Sequence, residues 1–178
     1  EGLATYFRAY LQDFMKKWTK NNYKSDGSQY NLYRDGLKIY TTIDSRLQMI
    51  GEQSVSEHMP NLQKEFFNQN TEKINPTAPF LNLREGEIDT LLERTARRTE
   101  RWRKMTNLGL TDEKIFDSFF EKTPMTIFSW DREIDTVMTP MDSIRYYKHF
   151  LRASLMSMDP QTGHVKTWVG GFNYKHFQ

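Results

Sequence analysis

Ala153-Ser-Leu-Met-Ser-Met-Asp-Pro-Gln-Thr-Gly-His-Val-Lys-Thr-Trp-Val-Gly-Gly-Phe-Asn-Tyr174 is the stretch whose reading decides the fold. Two runs rich in Val, Met, Leu and Trp flank Asp159-Pro160-Gln161-Thr162-Gly163, and this pattern predicts a β-hairpin. Pro160 presets φ for the second position of a type I turn, and Gly163 can take the left-handed conformation that returns the chain. Gly170-Gly171 then permits a bend, or a backbone approach too close for any side chain. The hairpin stands seven residues before Gln178 and reads as the start of a domain.

Working upstream, the other elements make the chain α+β: amphipathic helices packed on a small, mainly antiparallel sheet, ending in the hairpin. Leu3, Phe7, Tyr10, Phe14 and Trp18 recur at helical spacing and predict an amphipathic first helix with that inner stripe. Residues 21–31 are polar and turn-rich and read as a linker. Leu37, Ile39, Thr41 and Ile43 alternate with polar neighbours, the period of a half-buried strand. Asp44 has the chemistry to cap a helix carrying Leu47, Ile50, Val55, Met59, Leu62 and Phe66. Pro60 inside that pattern predicts a kink or a split, since it removes a backbone donor and crowds the preceding turn.

Residues 68–80, with Pro76 and Pro79, read as loop. A long helix is predicted from Glu85 to about Thr106, with Ile88, Leu91, Leu92, Thr95, Thr99 and Trp102 inward. A short helix follows Thr111, its acids Asp112 and Glu113 favourable at the positive end of the dipole. Met125–Trp130 and Ile134–Met138 are β-prone runs about a turn. Thr139, Pro140 and Asp142 form the clearest helix start, for a helix with Ile144, Tyr147 and Leu151 on its apolar side. Met138, Met141, Met156 and Met158 are expected to fill core gaps.

Composition excludes several function classes. A chain of 178 residues holds one core, burying about 70% of its unfolded surface. The hydrophobic fraction of 37% is low and the aromatic fraction of 14% high, which predicts a small, aromatic-heavy core. A net charge of +2 argues against nucleic acid as a partner. No apolar run reaches the ~18 residues of a membrane span, and no signal peptide is present. Cys is absent, so neither disulfides nor thiolate chemistry is open to the chain.

Three features bear on sites. Arg94, Arg97, Arg98, Arg101, Arg103 and Lys104 crowd one predicted helix beside Trp102. They suggest an anionic partner, but Glu87, Glu93 and Glu100 compensate them, and a solvated face is the preferred reading. His58, His149, His164 and His176 lack metal spacing and read as surface or helix-edge residues. Glu52, Glu57 and Glu65 read as ordinary carboxylates rather than an acid-base pair. No catalytic, cofactor-binding or metal-ligating residue is assigned, and no cofactor is expected.

The segment Met158-Asp-Pro-Gln-Thr-Gly-His-Val-Lys-Thr-Trp-Val-Gly-Gly171 resembles the first hairpin of the transpeptidase domain of penicillin-binding proteins. There a D-P-x-T-G turn leads into a strand ending in V-G-G. Tyr33-Arg-Asp-Gly-Leu-Lys-Ile-Tyr-Thr-Thr-Ile-Asp44, followed by Ser45-Arg46-Leu47-Gln48, resembles the strand and helix start that precede this domain in the bifunctional, class A members. Tyr6-Phe-Arg-Ala-Tyr-Leu11 is similar to the helix that leaves their glycosyltransferase domain. The three matches stand in the family's order across nearly the whole chain.

The resemblance implies a division into residues 1–35, a helix and linker leaving a glycosyltransferase domain; 36–152, an inter-domain α+β linker module; and 153–178, the first transpeptidase hairpin. Residues 68–139 match no motif of the family and read as an insertion in the linker, of the kind seen in Bacteroidota. The family's catalytic motifs are absent. No Ser has Lys three residues on, no S-x-N occurs, Lys166-Thr167 precedes Trp168 rather than Gly, and E-D-x-x-F-x-x-H-x-G is missing.

On the resemblance, the parent polymerises and crosslinks peptidoglycan outside the cytoplasmic membrane, with an anchor upstream of Glu1. Its partners are the two catalytic domains, peptidoglycan and the lipid-linked precursor, and this segment is a non-catalytic spacer. An alternative of another class is an interaction module that binds cell-wall polymer or an envelope protein through the Arg-rich helix. An enzyme with a site inside these residues is the least favoured reading, because no nucleophile-base pair or metal set can be assembled from them.

Overall fold

The structure, a computed structural model, describes residues 2–71 and 73–177. Glu1, Glu72 and Gln178, two of which marked the ends in the sequence reading, lie outside it. The element order is α1 (Thr5–Asn21), α2 (Ser45–Gln69), α3 (Glu85–Ala96), α4 (Glu100–Asn107), α5 (Asp112–Asp117), a 3-10 turn (Ser118–Phe120), β1 (Thr123–Ile127), β2 (Ile134–Met138), α6 (Pro140–Lys148), β3 (Leu155–Met158) and β4 (Val165–Val169). The class is α+β, as the sequence predicts. The strands form two separate antiparallel pairs, β1-β2 and β3-β4, rather than one sheet. The chain divides into two compact units, residues 1–59 with 152–178 and residues 60–151.

In the first unit the hairpin forms as its turn chemistry requires. Asp159 Oδ1 accepts from the backbone N–H groups of Gln161 (2.9 Å) and Thr162 (3.1 Å). Gly163 stands at φ 72°, and its N–H donates to Asp159 O at 2.8 Å. Leu155 pairs with Val169 and Met156 with Trp168, and the register shifts at Ser157/Met158. Met156 and Met158 are exposed, so they do not fill a core, contrary to expectation. On a two-stranded pair one face has nothing to bury it.

The strand expected over 37–43 does not form. Its end lies along β4, where Thr42 Oγ1 donates to Val165 O (2.7 Å) and Asp44 N to Lys166 O (2.9 Å). No ladder precedes these bonds, and Ile39 and Tyr40 are exposed. Alternation was therefore a poor guide, since a strand needs a partner along its length. Asp44 caps α2 as predicted, accepting from Arg46 N at 2.9 Å and Leu47 N at 3.1 Å.

The inner stripes of both long helices differ from the apolar spacing. In α1, Met15 and Thr19 are buried, whereas Tyr10 and Phe14 are more than half exposed. In α2 the buried positions are Gln48, Gly51, Val55, Met59 and Gln63, while Leu47, Ile50 and Leu62 face solvent. The two glutamines replace apolar residues in the stripe because each satisfies main-chain groups. Pro60 sits inside α2 without splitting it.

The second unit contains the larger core. Phe80, Ile88, Leu92, Ala96, Trp102, Ile115, Phe119 and Ile144 form one buried cluster, each large apolar side chain contributing about 1.5–3 kcal/mol by leaving water. The helix expected from Glu85 to Thr106 is two helices, α3 and α4. Thr99 breaks it: its Oγ1 accepts from Trp102 N (3.2 Å) and donates to Ala96 O (2.7 Å). A Thr hydroxyl offers the backbone an alternative to the helical ladder, and here it starts a new helix with Trp102 turned inward. Thr111 caps α5 in the same way.

Thr139 Oγ1 accepts from Asp142 N at 3.0 Å and donates to Asp142 Oδ2 at 2.6 Å, so α6 starts where the sequence predicts. Beside β1, Phe128 N donates to Tyr147 Oη (3.0 Å) and Phe128 O accepts from Tyr146 Oη (2.7 Å). Burial pushes the Tyr146 hydroxyl pKa up, with a smaller contribution from Tyr147. In the same unit Gln63, 1% exposed, donates from Nε2 to His149 O and accepts at Oε1 from Leu151 N, both at 2.8 Å.

Candidate functional site: the junction of the first helix and the last hairpin

The part of the first unit where the sequence motifs meet is built by α1, the start of α2 and β4. Gln48 lies at its centre and is fully buried. Its Oε1 accepts from Trp168 N at 2.7 Å, and its Nε2 donates to Trp168 O (3.0 Å) and Glu52 Oε1 (2.8 Å). Both amide hydrogens and the carbonyl are thereby used, and the amide stands where a neighbouring strand would. Glu52 Oε1 also accepts from Ala4 N at 2.7 Å, so one carboxylate oxygen serves both α2 and the entry to α1. Ala4, at φ 57°, has no side-chain cap of its own.

The glycine pair after β4 meets α1. A Cβ on Gly170 would stand 2.8 Å from Tyr6 Cβ and Cγ, and one on Gly171 would overlap the Tyr6 hydroxyl end. Neither glycine has a positive φ, so the requirement is steric. This is the close approach that the sequence predicts. Tyr6 Oη donates to Phe177 O at 2.7 Å, and its ring meets Tyr174 edge-on at 4.9 Å. Burial raises the Tyr6 hydroxyl pKa against a smaller lowering by Arg152. Trp168 lies against Phe7 (5.7 Å) and stacks with Tyr10 (5.4 Å). α2 approaches the hairpin through Gly51, where a Cβ would come within 2.8 Å of Thr167 Cγ2.

The residues weighed as site candidates are not brought together. Glu52 belongs to the junction, Glu57 Oε1 accepts from Gln53 Nε2 at 2.6 Å, and Glu65 is exposed. His149 Nδ1 lies 3.0 Å from Arg145 O. His164 O accepts from Asp159 N inside the hairpin turn, His176 N donates to Asn173 Oδ1, and His58 is exposed. Among the described residues no group of three His, Cys, Asp or Glu side chains is placed to hold a metal ion. No helix among them is long and apolar enough to cross a membrane.

Of the Arg-rich segment, Arg94 lies in α3, Arg101, Arg103 and Lys104 in α4, and Arg97 and Arg98 in the turn between them. Arg97 pairs with Asp112 (2.6 Å) and Glu93 (3.0 Å), and those two partners raise its pKa. Its guanidinium lies 4.6 Å from the Trp102 ring centroid. Arg101 donates to Ser118 O at 3.3 Å and faces Phe119. Two of the basic residues therefore tie helices together over core aromatics. Arg94, Arg98 and Arg103 are exposed.

Sequence reasoning missed Gln48 and Gln63. The signal was present as a Gln in the helix stripe at positions 48 and 63, with apolar residues at 55 and 59 between them.

Residues 75–151 match the penicillin-binding protein middle domain family. That match ends where the second unit ends, and it covers most of the stretch for which the sequence reading found no motif. The chain is 26% identical to Penicillin-binding protein 1A of Aquifex aeolicus (strain VF5), over an alignment covering 97% of this chain and 23% of that relative. It thus spans about a quarter of the length of the curated relative it matches. No solved structure matches the chain. By these comparisons the chain is similar to penicillin-binding proteins, over residues 75–151 to their middle domain and over nearly its whole length to the Aquifex protein.

Proposed function

We propose that this chain is the non-catalytic spacer between the glycosyltransferase and transpeptidase domains of a bifunctional penicillin-binding protein. Residues 1–35 form the helix and linker leaving the first domain, 36–152 the linker module, and 153–178 the opening hairpin of the second. The parent sits on the outer side of the cytoplasmic membrane. It polymerises glycan from a lipid-linked disaccharide and crosslinks stem peptides through a Ser ester. The observation that carries this reading is the seating of Tyr6, in the motif similar to the glycosyltransferase exit helix, on Gly170-Gly171 of the transpeptidase-like hairpin. A spacer must hold its two ends in a fixed relation. Here the side chain of one motif occupies the space that the glycines of the other leave open.

Two measurements test the proposal. The coding sequence beyond Gln178 should carry S-x-x-K within a few tens of residues, with a glycosyltransferase motif and an anchor upstream of Glu1. A stop codon directly after Gln178 would overturn it. The purified segment should give no covalent adduct with labelled penicillin on a denaturing gel, and an adduct would refute the spacer assignment.

A further inference from the structure

A cleft of about 220 Å³ in the first unit is lined by Tyr6, Trp168, Phe172, Tyr174, Glu52 and Ser56, among others. Among the described residues Glu52 is the only charged one in the lining. One of its oxygens is committed to Ala4 N and Gln48 Nε2, and the other accepts from no donor among the described residues. The rings around it present π-faces and edges, and the Tyr6 hydroxyl is occupied by Phe177 O. What the lining offers a guest is therefore one negative charge among aromatic rings, with the Trp168 indole N–H and the hydroxyls of Thr5, Ser56 and Tyr174 beside it. Arg152 lies over Phe177, 5.3 Å from its centroid, and does not line the cleft.

The charge in the lining is negative and stands among aromatic rings, a setting that favours a cationic head. An alkylammonium group meets that description, with three N–H donors and a positive charge attracted both by the carboxylate and by ring quadrupoles. We propose that this cleft binds a primary ammonium head, either of a free amine or of a lysine-type side chain. The inference stands apart from the spacer assignment and survives its failure.

The test uses the whole 178-residue chain, 15N-labelled. Titration with n-butylammonium chloride is expected to give saturable shifts at the Trp168 indole and at the Gly171 and Tyr174 amides, with millimolar midpoints. Isosteric n-butanol, and sodium chloride at equal ionic strength, should leave these signals in place. Glu52→Gln, which keeps the acceptor for Ala4, should weaken binding about tenfold. Phe172→Ala should weaken it less. Nα-acetyl-lysine amide compared with butylammonium tells a peptide side chain from a free amine. Equal shifts with butanol or salt, or shifts that never saturate, would overturn the proposal. If the Glu52 variant fails to fold, the comparison of butylammonium with butanol on the unmodified chain still decides.

Discussion

The side-chain amide of Gln48 makes both hydrogen bonds that a neighbouring strand would make to Trp168, at 2.7 and 3.0 Å. Gln63 repeats the device in the other unit, bridging His149 O and Leu151 N. The hydroxyls of Tyr146 and Tyr147 do the same for Phe128. Where the described residues form only two-stranded pairs, side chains complete main-chain hydrogen bonding that a larger sheet would supply.

Gln48→Leu keeps the volume and leaves the N–H and C=O of Trp168 buried and unpaired. Each orphaned group costs about 1–3 kcal/mol, so the first unit should lose about 2–6 kcal/mol. Native-state hydrogen exchange of the Trp168 amide reads this directly. Unchanged protection would show that water or another group takes over the role.

Gly171→Ala forces a methyl into the hydroxyl end of the Tyr6 ring and should destabilise the hairpin by about 1–3 kcal/mol. Because the conflict is with one side chain, Tyr6→Ala should recover most of that loss. A double-mutant cycle in denaturant unfolding measures the coupling. Additive effects would mean that the glycine is needed for its backbone freedom instead.

Pro60→Ala restores an N–H to the interior of α2 and removes the ring from the preceding turn. Interior Pro costs up to about 3 kcal/mol relative to Ala, so the substitution should raise the denaturation midpoint. A lower midpoint would show that the ring contributes packing worth more than the lost bond.

Acid should weaken the first unit through four carboxylates held below their usual range. Asp26 is held there first by the Ser28 hydroxyl, Asp35 by Asn31 N–H, Asp44 by Leu47 N–H and Asp159 by Gln161 N–H. A depressed folded pKa contributes stability that is whole above the unfolded value near 4 and is lost as pH falls through the folded value. Hairpin amide signals followed from pH 6 to 2 should fade below about pH 4. Asp44→Asn with Asp159→Asn should flatten that dependence, and an unchanged slope would assign the acid response to other groups.

What could be read from the sequence was local. The Asp159–Gly163 turn, the Thr139 cap and the Asp44 cap each rest on bonds spanning a few residues, and all three stand in the structure where their chemistry puts them. What escaped depended on partners far along the chain. The entry to α1 shows no capping residue because its donor is met by Glu52, 48 residues away. Apolar periodicity misplaced the inner face of α2 because two of its buried positions are glutamines, chosen for main-chain groups that only the fold delivers. Thr99 looked like one more position on a long stripe, since a helix cap and a helix interior differ there by a single hydroxyl bond. At the junction the glycine pair was legible as a close approach, but Tyr6 as the side chain that fills it was not.

The covering of β4 by Thr42, Asp44 and Gln48 gives the last hairpin a direction. On that flank the hydrogen-bonding groups of Val165, Lys166 and Trp168 are already spent, whereas β3 pairs with β4 alone among the described residues. Any further strand, whatever its source, has only the Leu155–Met158 side on which to add. The start of α2 therefore acts as a bookend: it lets a sheet be extended from one side and forbids it from the other.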